Sequence, residues 1–294
     1  MKKLLFFILI ASMVSTVASA ESFVVDSITY EPTYTHDDNT VMVVRGPYFE
    51  SVEIPATVFY DNVTYKVEAI GYEAFQDRKV LTSVTIAEGV ERIASSAFSG
   101  CTNLTSIYLP SSMTSIRNMA FKNCEKLNDV IIPSGVTEIG QGTFQNCCSL
   151  TSIIIPEGVT SIGEYSFQGC TSLKSITFGN GFMDIAVGAF DKCSSVASVT
   201  FLGVMPLKEV FKGVGSTESP ATLKIPSSWP ANDKPVNSST PWHGGYFNCE
   251  YVDPVKEFLG EMGEPCDDCP HIEVTKGNKT IKLYNPDKVE FKKG

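Results

Sequence analysis

The sequence is poor in histidine, with only His36, His243 and His271 among 294 residues. A serine or cysteine nucleophile needs a base such as histidine within hydrogen-bond reach. No G-x-S-x-G elbow, phosphate-binding loop or dinucleotide-binding glycine motif occurs in a strand–turn–helix setting. We therefore expect no catalysis and no cofactor.

Basic residues and long apolar runs are also scarce. Lys and Arg number 23 against 33 Asp and Glu, so the formal net charge is −10. Nucleic-acid binding calls for basic patches that neutralise phosphates, and this composition disfavours it. After residue 20 no apolar run reaches the roughly 20 residues that a membrane-spanning helix needs.

The first 20 residues have the pattern of an export signal. Lys2 and Lys3 supply the positive start, 4–17 the apolar run, and 18–20 the small-residue cleavage site. We expect cleavage after Ala20 and an exported protein, at the cell surface, outside the cell or in the periplasm. An uncleaved membrane anchor is the alternative, and the short apolar run disfavours it.

A strict 23-residue period dominates the middle of the chain. Its rows are Phe75, Phe98, Phe121, Phe144, Phe167 and Phe190; Ile70, Ile93, Ile116, Ile139, Ile162 and Ile185; and Cys101, Cys124, Cys147, Cys170 and Cys193. A fixed period of this length is typical of a repeat solenoid. The Phe and Cys rows are expected to form an interior ladder.

Each copy, or rung, contains a short apolar triplet such as Val84–Ile86, Ile107–Leu109 or Val130–Ile132. Its alternation predicts a short strand with two inward side chains and one outward. The Ala-Phe pair and the Cys three residues later have the spacing of one helical or 3-10 turn. Each rung is thus predicted as strand, corner, extended piece and turn.

The unit Leu104–Leu127 and the copy that ends at Leu150 resemble the BspA-type leucine-rich repeat, and the resemblance covers roughly residues 52–225. It implies a right-handed leucine-rich-repeat superhelix, exported from bacteria, with adhesion or host-protein binding as its activity. No catalytic residues are associated with such repeats, so none are carried over.

The periodicity also divides the chain. We predict a signal peptide at 1–20, an N-terminal β cap at 21–50 and the solenoid at 51–201. The last strand and a C-terminal cap are predicted at 202–253, and a linker with a small β segment at 254–294. Caps at both ends are expected because an open rung exposes apolar side chains and unpaired strand groups.

The cysteines outside the ladder leave alternatives open. Cys266 and Cys269 have C-x-x-C spacing, with His271 close by and Cys249 farther away. A disulfide between Cys266 and Cys269 is favoured in an exported protein. Free thiols and a four-ligand zinc site are the alternatives.

The outward central positions of the strands form the candidate partner surface, and they are Thr85, Tyr108, Ile131, Ile154, Thr177 and Thr200. Three apolar neighbours, Tyr108, Ile131 and Ile154, are expected side by side on consecutive rungs. A contiguous exposed apolar patch marks a partner site, although β-propensity alone also favours such residues on strands.

These observations predict an exported, non-enzymatic scaffold that binds a protein or another extracellular macromolecule. One alternative is a structural component of a surface complex, attached through the C-terminal segment. Another is an accessory to an extracellular enzyme or a carbohydrate-handling system.

Overall fold

A computed structural model describes residues 22–33, 39–47, 50–180, 184–202, 214, 221–226, 247–252, 271–276 and 279–284. The predicted export signal, most of the predicted C-terminal cap and most of 254–294 lie outside the described residues. The strands that open the chain are β1 (Phe23–Val25), β2 (Ile28–Pro32), β3 (Thr40–Val44), β4 (Ser51–Ile54), β5 (Thr57–Tyr60) and β6 (Val63–Ile70). The strands of the repeats are β7 (Ser83–Ile86), β8 (Arg92–Ile93), β9 (Ser106–Tyr108), β10 (Ser115–Ile116), β11 (Glu138–Ile139), β12 (Ser152–Ile155), β13 (Ser161–Ile162), β14 (Ser175–Phe178), β15 (Asp184–Ile185) and β16 (Ser198–Phe201). The last four are β17 (Ala221–Pro226), β18 (Phe247–Val252), β19 (His271–Lys276) and β20 (Lys279–Tyr284).

The isoleucine row forms one continuous parallel sheet, here called the Ile sheet. Ile70 pairs with Ile93, and each later member pairs with the residue 23 positions on, through to Ile185. The triplets form the opposite face sheets, β4-β7-β9 and β12-β14-β16-β17-β18. The predicted solenoid of 23-residue rungs is confirmed.

The phenylalanine ladder fills the interior between these sheets. All six rings are fully buried. Consecutive rings are stacked, with centroids 4.9 to 5.4 Å apart and planes within 14° of each other. This spacing is close to the distance between neighbouring strands, about 4.8 Å, so each ring covers the one before it.

The third side of each rung is a column of turns, and the predicted helical or 3-10 turn is wrong: no helix forms in the described residues. Two positions per rung have positive φ, such as Glu73 and Asp77 in the first copy. A left-handed residue every four positions interrupts right-handed helical geometry. Alternate amides bond between rungs, as from Phe98 N–H to the Ala120 carbonyl, 2.8 Å, and others bond within the rung, as from Cys101 N–H to the Phe98 carbonyl, 3.2 Å.

The N-terminal strands cover one end of the Ile sheet. β1, β2 and β3 are antiparallel, and β3 then pairs in parallel with β6, which also carries β5. Arg78 occupies the ladder position that later rungs give to cysteine, and its Nη2 donates to the Gly46 carbonyl at 2.7 Å. That bond ties the entering chain to the first rung.

Candidate binding surface

The outward row of the face sheets is built by strand register. Thr85 pairs with Tyr108, and Ile154 pairs with Thr177. The rung between them is linked by one parallel bridge, Ser106 to Asp129, which places Ile131 between Tyr108 and Ile154. The three apolar side chains are 48%, 59% and 37% exposed in chain order, and we call them the apolar patch.

The row does not stay exposed along its whole length, and this corrects the predicted surface. Thr177 is 1% exposed and Thr200 is fully buried. The chain leaves the repeat after Phe201, and Val214 of that excursion is buried in the core cluster of the solenoid. Thr177 is therefore not part of an exposed surface.

The apolar patch coincides with an interruption of the face sheet, where a strand was predicted. Val130–Ile132 form no strand, and within the described chain their backbone groups make no hydrogen bond. The other copies have Ser at the position of Asp129, and Asn and Asp are depleted in strands. The hydroxyl bonds between rungs, as from Thr105 to the Thr82 carbonyl at 2.9 Å, also lack a counterpart at Asn128 in the described structure.

Glu88 fixes one border of the apolar patch and was missed from the sequence. Its carboxylate accepts bonds from the backbone N–H groups of Ser111 and Ser112, at 3.0 and 3.2 Å. It also accepts from the Ser111 hydroxyl and, at 3.4 Å, from the Tyr108 hydroxyl. The Ser111 N–H is the main reason that the pKa of Glu88 is lowered. The period does not predict this role, because the register position of Glu88 holds Ser111 on the next rung.

The cysteine ladder is buried and its thiols are hydrogen-bonded. Each Sγ donates to the carbonyl of the Phe 26 positions earlier, at 3.0 to 3.3 Å. Desolvation raises the pKa of Cys101 and of Cys193 to about 12, and raises those of Cys124, Cys147 and Cys170 well above the usual value. Such thiols stay protonated and do not act as nucleophiles at neutral pH.

Cys148 differs from the ladder, because it is partly exposed and free. Its Sγ lies 3.4 Å from the Asn146 carbonyl and 3.7 Å from that of Gly169. Of the second cysteine group, only the backbones of Cys249 and His271 are described, in β18 and β19. Cys266 and Cys269 lie outside the described residues, so their predicted disulfide stays a prediction.

The described ranges contain no helix that is long and apolar enough to cross a membrane. They also contain no group of three His, Cys, Asp or Glu side chains positioned to hold a metal ion.

Comparisons with known proteins agree with this geometry. Residues 68–197 match the family model of the BspA type leucine rich repeat region in six copies. A leucine-rich repeat protein from Bacteroides ovatus is 31% identical, over 69% of this chain and 49% of that one, with a TM-score of 0.54. A leucine-rich repeat protein of T. pallidum is 28% identical, over 66% of this chain and 89% of that one, with a TM-score of 0.58. No curated protein matches the chain.

Residues 68–197 are therefore a BspA type leucine-rich repeat region, as the resemblance predicted. The chain's neighbours in fold are bacterial leucine-rich repeat proteins. The chain spans about half the length of the Bacteroides ovatus protein that it matches.

Proposed function

We propose that the chain is an exported, non-catalytic binding scaffold, a bacterial surface adhesin that recognises a host protein or another extracellular macromolecule through its apolar patch. The observation that carries the proposal is the side-by-side exposure of Tyr108, Ile131 and Ile154 on consecutive rungs. Tyr108 lies in β9 and Ile154 in β12, both backed by the stacked core, and Ile131 lies between them in the interrupted rung. The two flanking side chains are therefore presented on a rigid frame, with little ordering cost on binding.

The surroundings of the patch favour a partner that buries apolar groups. The residues that precede the three exposed side chains, Ile107, Val130 and Ile153, are buried. Two charged residues border the patch, Glu88 beside Tyr108 and Asp129 on the rung of Ile131. Aromatic and aliphatic anchors in a surface of low charge are typical of the centre of a protein interface. Thr85 extends the row at one side as a polar border.

The test compares Ile131→Lys/Ile154→Lys with a matched control, Val80→Lys/Val187→Lys. Both control residues are 57% exposed and stand outside the face strands. The probe is a panel of immobilised host extracellular-matrix proteins and polysaccharides. Burying one isoleucine is worth about 1.5–3 kcal/mol, so the patch variant should lose roughly 100-fold or more in affinity. Equal binding by both folded variants would reject the patch.

A further inference from the structure

β4 is an open edge of the first face sheet. It pairs with β7 on one side, and no other described strand joins it. The carbonyls of Glu50 and Ile54 accept bonds from the β7 side. In a parallel ladder, alternate residues point to opposite neighbours, so the N–H and C=O groups of Ser51 and Glu53 face away from β7. No described residue bonds to those groups.

The N-terminal strands protect the Ile sheet but leave a groove beside β4. The groove has a volume of about 680 Å³ and runs between this edge, the β1–β2 turn and β5. Ile28, Val52 and Val58 line it, together with Phe59, which is 65% exposed. An open strand edge next to an apolar groove is the geometry that accepts an added strand.

The charge of the groove determines which kind of strand can add to the β4 edge. Asp26 and Glu53 line it, and the described lining contains no Lys or Arg. Pairing with the same edge of a second copy would place two acidic grooves against each other, which is unfavourable. The groove therefore favours a basic strand.

The chain carries such a strand in its β19–β20 hairpin. The two strands pair with each other from His271–Tyr284 to Lys276–Lys279, and no further described strand joins them. An isolated two-stranded hairpin is marginally stable in water. β20 contains Lys279 and Lys282 and no acidic residue, in a chain of net charge −10.

We propose that β20 of one copy adds to the β4 edge of a second copy, which gives head-to-tail association of the solenoids. β18 lies eight steps from β4 along the face, counting β7, β9, the 129–132 segment, β12, β14, β16, β17 and β18. At about 4.8 Å per step this is roughly 38 Å. The chain's own β4 edge therefore lies at the far end of the face from β18, whereas a copy stacked end to end brings its β4 edge next to β18.

Such contacts are heterologous, so an assembly of any length keeps one free hairpin at one end and one free edge at the other, and it stays open. This inference rests on the groove and the hairpin, and it is independent of the apolar patch.

The experiment measures the mass of the chain from Glu21 onward by sedimentation velocity over a concentration series. Glu53→Pro blocks the open edge and spares the β4–β7 ladder, because the N–H of Glu53 faces away from β7. Lys279→Glu/Lys282→Glu reverses the charge of β20. Lys126→Glu/Lys174→Glu, at two exposed lysines of the repeats, is the control of equal charge.

The unmodified chain and the control should form species larger than dimers as concentration rises. Each of the other two variants alone should stay monomeric. Mixed in equal amounts, they retain one intact hairpin and one intact edge between them, so the mixture should stop at dimers. A monomeric unmodified chain at its highest soluble concentration would overturn the proposal. A mixture that stays monomeric, or variants that associate like the unmodified chain, would overturn it as well.

Discussion

The Sγ atom of Cys124 donates a hydrogen bond to the carbonyl oxygen of Phe98 on the rung before, at 3.2 Å. The same bond recurs from Cys101 to Cys193. Each thiol is a second donor to a Phe carbonyl that already accepts the backbone N–H three residues on. A thiol has about the size of a small apolar group and still offers one weak donor. The cysteine row therefore contributes to packing and to hydrogen bonding in its protonated form.

The protonated ladder predicts that stability falls in alkali. Unfolded cysteine has a pKa of about 8.5, whereas the folded pKa of Cys101 and of Cys193 is about 12. The folded state keeps protons that the unfolded chain releases between these values, so stability is complete below about pH 8.5 and is lost as pH rises. Each thiol lowers the free energy of unfolding by up to about 1.4 kcal/mol per pH unit. Urea denaturation from pH 7 to 11 measures this slope.

Tyrosine side chains titrate in the same pH range as the thiols. The contribution of the thiols is therefore isolated with the variant Cys124→Ala/Cys147→Ala. It removes two ladder thiols and leaves every tyrosine in place. Its free energy of unfolding should fall less steeply with pH than that of the unmodified chain. Identical slopes would show that these thiols do not carry the pH dependence.

Thiol accessibility separates Cys148 from the ladder. We expect a disulfide-exchange reagent to modify Cys148 in the folded protein and the five ladder thiols only after unfolding, because the latter are buried and protonated. Mass spectrometry of digested protein locates the label. Cys148→Ser should abolish rapid labelling within the repeats, and rapid labelling at Cys147 would contradict the structure.

The phenylalanine stack predicts a large core effect at Phe144, whose ring lies between those of Phe121 and Phe167. Phe144→Ala should lower the free energy of unfolding by about 3–5 kcal/mol, because it removes buried area and leaves a cavity. Val80→Ala, at an exposed position, is the control and should change it by under about 0.5 kcal/mol. Chemical denaturation measures both, and similar small losses would mean that the stack contributes little.

Restoring the strand in the interrupted rung should raise the free energy of unfolding rather than lower it. Asn128→Thr/Asp129→Ser restores the residue types of the neighbouring copies, so the Val130–Ile132 segment should join the face sheet. We expect a gain of about 0.5–1 kcal/mol from the added bonds and slower amide exchange at Ile131. Unchanged exchange there would show that these two residues do not cause the interruption.

The structural features that recur in every repeat could be predicted from the sequence. The Ile, Phe and Cys rows lie in register because a constant period stacks equal side chains, and the solenoid follows from that. The turn column was predicted wrongly because its left-handed positions include Glu73, Met119 and Tyr165. Such residues rarely adopt positive φ, and the bonds between rungs hold them there.

Features that break the period were harder to predict from sequence. The burial of Thr177 departs from strand alternation, which predicts an outward side chain at this position. The open β4 edge depends on which sheet the N-terminal strands cover, and their alternating pattern is compatible with either. The apolar patch followed from strand alternation alone, and its coincidence with the interruption emerged only in three dimensions.

Binding by the apolar patch is the central claim, and one comparison tests it most directly. Surface plasmon resonance of the unmodified chain, Ile131→Lys/Ile154→Lys and Val80→Lys/Val187→Lys is run over the same panel of matrix proteins and polysaccharides. The account predicts binding by the unmodified chain and the control, and a loss of roughly 100-fold or more for the patch variant. Undiminished binding by a patch variant with unchanged circular dichroism would contradict it.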